Sequence, residues 1–152
     1  VYERLALVSP TVVSYQSELA ICYTNIGSLH LESANLDEAL FAYDRALEIN
    51  ERLALVNPAV IRFQQDIYNA ACGISLASLV AANDATLTES ERTERAERYA
   101  ARVIEILNRL SEQDFFSTAE HLRFLKEDSD LDAVRDREDF KALLRKVLNG
   151  NQ

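Results

Sequence analysis

The sequence predicts an all-α chain of antiparallel helix pairs, stacked as a solenoid and closed by a C-terminal helical cap. Three observations predict it. Apolar residues recur at steps of three and four over long stretches, the period of a helix face. Of 152 residues only three are glycine and two proline, too few for the frequent turns of a sandwich or barrel. The chain also repeats itself. Residues 3–10 read ERLALVSP and residues 51–58 read ERLALVNP, with six identities in a row at a spacing of 48. Val12, Val13, Tyr15, Gln16, Glu18 and Leu19 continue the match onto Val60, Ile61, Phe63, Gln64, Asp66 and Ile67. Self-similarity of this kind marks stacked supersecondary units.

The repeat divides the chain into helical units over 1–110 and a cap over 111–152. Residues 9–56 and 57–110 are two long units. Val1 aligns with Ile49, deep inside the second helix of a unit, and the chain contains no methionine. Residues 1–8 therefore read as the tail of a truncated upstream unit, and the chain as the C-terminal end of a longer array. In the first unit Ser9 is the expected N-cap and Pro10 the first helical residue. Val12, Tyr15, Leu19, Tyr23, Ile26 and His30 then form one face, expected to be core. Asn35 and Glu38 are spaced as a capping box. The helix they open carries Leu36, Ala39, Leu40, Tyr43, Ala46, Leu47 and Leu53 as its stripe.

The third helix is expected to start at Asn57-Pro58, with Val60, Phe63, Ile67, Ala71, Ile74 and Ala77 on one face. A polar loop over 83–88 follows, and Thr88 with Glu91 forms a second capping box. Ala96, Tyr99, Ala100, Val103, Ile104, Leu107 and Leu110 stripe the fourth helix. Its other face alternates Glu and Arg, the mark of a solvated surface. In the cap, Ser117 to Glu120 starts a short helix with Leu122, Phe124 and Leu125. A last helix from near Asp136 carries Phe140, Leu143, Leu144, Val147 and Leu148, and residues 150–152 are expected to fray.

Charge and motifs exclude several function classes. The net charge of −9, spread along the chain, is the wrong sign for nucleic acid or an anionic membrane. No apolar run could span a membrane, so no membrane insertion by this segment is expected, and the compartment expected is the cytoplasm. Cys22 and Cys72 are read as buried free thiols, since no CxxC or His cluster accompanies them. No Gly-rich phosphate loop, HRD, DFG or G-x-S-x-G exists, so no catalytic residue and no cofactor is assigned. His30 takes a core aromatic place, and His121 is read as exposed or in a helix contact. Asp128, Asp130 and Asp132 open like a calcium loop with Asp139 at the twelfth place. Ala133 replaces the turn glycine, Arg135 the apolar eighth residue, and Asp139 is too short for the bidentate Glu. Capping and ion pairs with Arg135 and Arg137 are the reading preferred, and no metal is assigned.

Tyr23, Asn25, Ile26, Gly27 and His30, followed by Ala39, Leu40, Tyr43, Ala46 and Leu47, resemble a tetratricopeptide repeat (TPR) motif. Small Gly27, Ala39 and Ala46 let helix backbones approach, and Tyr23, Ile26, His30 and Tyr43 fill the gaps. The second unit is looser. Tyr68 to Cys72 matches the signature at a spacing of 45, while the ungapped 48 sets Ser75 opposite Gly27, and both stay open. The long unit and the tail over 119–144 are similar to TPR arrays of planctomycete bacteria, often attached to serine/threonine protein kinases. That resemblance implies a scaffold for protein–protein interaction. The alternatives are the regulatory region of a multidomain kinase and a self-assembly module. In the TPR family the first helices line a groove, and an Asn before the Leu-Gly pair grips a peptide backbone. Asn25 matches that place; Thr24, Ser28 and Glu32 share its face, and Asn69 is a weaker candidate. With only Arg4, Arg45 and Arg52 as cations in the first 57 residues, an apolar or basic partner segment fits better than an acidic C-terminus.

Overall fold

The structure, a computed structural model, describes residues 10–150, which are helices joined by short turns and loops, with no strand among them. Seven α-helices occur among them: α1 (Pro10–Glu32), α2 (Leu36–Val56), α3 (Ile61–Ala82), α4 (Glu89–Glu112), α5 (Ala119–Glu127), α6 (Asp132–Arg135) and α7 (Glu138–Gly150). Two short 3-10 helices, Phe115–Ser117 and Ser129–Leu131, fall between them. The Ser9 cap, the 1–8 tail and the end of the expected frayed terminus lie outside the described residues. The chain forms two compact units, Val1–Ala70 and Ala71–Gln152, divided within α3.

In the first unit α1 and α2 pack on each other as a hairpin closed by a three-residue turn. The contact is built on small side chains. Ser17, Ala20 and Gly27 are buried on α1, and Ala39, Tyr43, Ala46 and Leu47 on α2. A Cβ placed on Gly27 would meet the Tyr43 ring at 2.8 Å, so only glycine admits that ring. The Tyr43 hydroxyl and Ser28 Oγ lie 3.2 Å apart beside it. The sequence expectation for α1 is therefore corrected. Tyr15, Leu19 and Ile26 were expected as core, yet they are exposed, as is Cys22. The buried row lies one position along, because close helix approach selects small residues rather than large ones.

The ends of the helices also differ from expectation. α1 closes in a Schellman turn: Ala34 N–H donates to Leu31 O at 3.0 Å and Asn35 N–H to His30 O at 2.9 Å. Ala34 takes the left-handed place at φ 56°, where glycine is usual. Asn35 stands at the N-cap of α2 without a side-chain capping bond, at ψ 75°. Thr88 caps α4 from an extended ψ of 160°, an orientation Asn35 lacks because the preceding turn holds its backbone. Asn57 does not open α3; it closes α2, with both its backbone N–H and its Nδ2 donating to Leu53 O. Pro58 follows that cap in the turn, α3 begins at Ile61, and Val60 is exposed.

In the second unit Thr88 and Glu91 form the expected capping box. Glu91 N–H donates to Thr88 Oγ1 at 3.3 Å, and Thr88 N–H to Glu91 Oε2 at 2.8 Å. Tyr99, Ala100, Val103, Ile104, Leu107 and Leu110 are buried as the α4 stripe. Phe115 and Phe116, in a 3-10 helix that periodicity cannot show, are buried as well. Thr118 rather than Ser117 caps α5, accepting from His121 N–H at 3.2 Å. α7 buries Phe140, Leu143 and Val147.

Candidate functional site

The expected binding residues occupy one flank of α1. Ser28 and Thr24 both back-bond to their own helix, Ser28 Oγ to Thr24 O and Thr24 Oγ1 to Ala20 O, each at 3.2 Å. Asn25 and Glu32 are exposed. On an ideal helix these four share one side of the Gly27 row that meets α2. Asn69 is on α3, exposed, and accepts from Gln65 Nε2 at 3.1 Å. The structure thus groups Thr24, Asn25, Ser28 and Glu32 and leaves Asn69 on another helix.

The other flank of α1 is apolar. Tyr23, Ile26 and His30, with Phe41 and Ala42 of α2, line an open hollow of about 420 Å³, to which Asp37 and Glu38 add carboxylates. His30 is half-buried there rather than enclosed in a core. Phe41 is 65% exposed and was absent from the sequence-derived stripes. Its signal was present: it is a large apolar residue one position off the α2 core row.

The acidic loop of the second unit is organised around an arginine. Asp128 Oδ1 accepts from Asp130 N–H at 3.0 Å, capping the second 3-10 helix. Arg135 donates to three carbonyls, Leu125 O at 2.7 Å, Lys126 O at 2.8 Å and Asp128 O at 2.6 Å, and to Asp132 Oδ1 at 3.0 Å. Its guanidinium thereby satisfies the C-terminal carbonyls of α5, the place where a cation suits a helix dipole. Arg137 pairs in a fork with Asp139, at 2.9 and 2.8 Å, and reaches Glu97 of α4 at 2.6 Å. Cys72 is buried, and its Sγ donates to Asp128 Oδ2 at 3.9 Å, with an Asp130 carboxylate close by. Asp128 thus serves as a cap, and Asp132 and Asp139 pair with Arg135 and Arg137. His121 stacks on the Phe115 ring at 4.2 Å, and its Nδ1 lies 2.8 Å from Phe115 O, a structural contact.

No family model, curated protein or solved structure matches the chain. No helix among the described residues is long and apolar enough to cross a membrane.

Proposed function

We propose that this chain is a protein–protein interaction module, a non-catalytic scaffold of TPR-like helix pairs stacked as a solenoid. The observation that carries the reading is the α1–α2 hairpin, in which a Cβ on Gly27 would meet the Tyr43 ring at 2.8 Å. It supports the motif resemblance at the pair of residues where that motif is most demanding. The Asn25 flank of α1 supplies the partner site. An amide there both donates and accepts, so it can pair with a peptide unit, and Glu32 favours a partner segment without acidic charge.

The test is capture of partners by immobilised chain, wild type against Asn25→Ala, with helicity checked by circular dichroism. Loss of specific partners at unchanged helicity supports the reading. Equal recovery of every partner removes Asn25 from it.

A further inference from the structure

The hollow beside the α1–α2 turn has the chemistry of a cation site. Tyr23, Ile26 and His30 follow at steps of three and four on α1 and so hold one helix face. Asp37, Glu38, Phe41 and Ala42 fall within the first two turns of α2. The hairpin sets these side chains around an open space of about 420 Å³. Of the seven described residues that line it, three carry rings, two carry carboxylates, and none is Lys or Arg. Phe41 is 65% exposed and Ile26 43%, so ring and alkyl surface is open to a ligand. Among the described residues the Glu38 carboxylate makes no hydrogen bond or ion pair.

The walls select among occupants. Asp37, Glu38 and a net charge of −9 repel an anion. A neutral apolar group would cover Ile26 and Phe41 but gain nothing from two carboxylates. A lysine ammonium carries three N–H donors and a tight shell of water, and ring faces and alkyl groups replace neither. A quaternary ammonium group has no N–H to satisfy. Its methyl groups can pack on Ile26, Phe41 and Ala42, while its spread charge is drawn to ring faces and carboxylates together. Tyr23 already takes a cation in this way: the Arg45 guanidinium carbon lies 6.0 Å from its ring centroid, with the Arg45 charge paired to Glu48. The helix dipoles do not oppose such a charge, because the C-terminal end of α1 and the N-terminal end of α2 meet at this turn and offset each other.

We propose that this hollow binds a quaternary ammonium group, with Tyr23 and Phe41 as its ring contacts and Asp37 and Glu38 as its countercharges. Its volume lies within the roughly 300–1,000 Å³ of small-ligand sites, enough for such a head group and the chain that bears it. The site is separate from the Asn25 flank, which lies on the other side of α1, and does not rest on it.

The probe is choline, titrated into the full chain through the millimolar range while backbone amide NMR shifts are followed. Saturable shifts centred between Tyr23 and Ala42 are expected. The uncharged carbon isostere of choline, with a tert-butyl group in place of the trimethylammonium, is expected to bind about tenfold more weakly. Phe41→Ala and Glu38→Gln, both at exposed positions, are each expected to weaken choline about fivefold at unchanged helicity. A peptide bearing a trimethyl-lysine is titrated beside choline to find the source of the group. Tighter binding than choline assigns it to a protein side chain and weaker binding to a free small molecule, and either supports the site. An isostere that binds as tightly as choline overturns the proposal, since the hollow is then selective for apolar shape alone. Choline shifts that survive Phe41→Ala overturn it too, as does a titration without saturable shifts between Tyr23 and Ala42.

Discussion

Gly27 and Ala34 sit seven residues apart on the same hairpin and are mismatched to their places in opposite senses. At Gly27 the missing side chain is the adaptation. Gly27→Ala gains about 1 kcal/mol of helix propensity. It also drives a Cβ to 2.8 Å from the Tyr43 ring, an overpacking worth about 1–3 kcal/mol. Because the ring is 1% exposed and held on all sides, steric cost wins, and a net loss is expected in urea unfolding. The double variant with Tyr43→Leu should lose less than the sum of the singles, since the two side chains then no longer compete. At Ala34 the side chain is the defect. A left-handed alanine costs roughly 1–2 kcal/mol, and glycine removes that cost while admitting more unfolded conformations. Ala34→Gly is expected to stabilise by about 0.5–1 kcal/mol, read as a raised urea midpoint at unchanged slope.

Arg135 shows how a short element is held without a core of its own. α6 spans four residues and buries one apolar side chain, Val134. Its guanidinium bonds to Leu125, Lys126 and Asp128 carbonyls tie it to the end of α5. Arg135→Lys keeps the charge but cannot reproduce a planar fork to three acceptors. It is expected to cost about 1–2 kcal/mol. Hydrogen exchange should rise over residues 125–131 while α4 stays protected, and uniform protection would show that the carbonyls need no guanidinium. Such elements also mark what the sequence could reveal. The long stripes of α2, α3 and α4 and the Thr88 box were legible, because period and capping chemistry are local. The 3-10 turns around Phe115 and Leu131 were not, being shorter than one period of any pattern. For α1 the apolar face was legible but its surroundings were not. Periodicity finds a face and cannot say whether a partner helix covers it. The Asn25 flank was placed by motif alone, and the Phe41 hollow needed α1 and α2 together.

Among the described residues six carboxyl groups have shifted pKa values, and they fall into two sets that oppose each other as pH falls. Asp139 is held below the usual range by hydrogen bonds from Arg137, Glu138 by Lys141, Glu91 by Thr88 and Asp84 by Thr86. Asp66 is raised by burial, which Arg62 only partly offsets, and Asp130 by burial together with Asp128 and Asp132. A depressed group stabilises the fold above its unfolded pKa near about 4 and loses that contribution as pH drops through its lower folded value. A raised group penalises the fold while ionised. Its protonation in the folded state begins above about pH 4, so lowering the pH relieves the penalty first. Easing of self-repulsion within a net charge of −9 acts in the same direction. Thermal melts at low protein concentration should therefore show Tm rising from pH 7 to a maximum between about pH 4 and 6, then falling as the depressed set protonates. Asp66→Asn separates the two causes of the rise. It removes the buried charge at every pH, so Tm at pH 7 should increase and the upper limb should flatten. A wild-type Tm that declines steadily from pH 7 would mean that the hydrogen-bonded acids outweigh burial at Asp66 throughout. An unchanged upper limb in Asp66→Asn would assign the rise to overall charge instead.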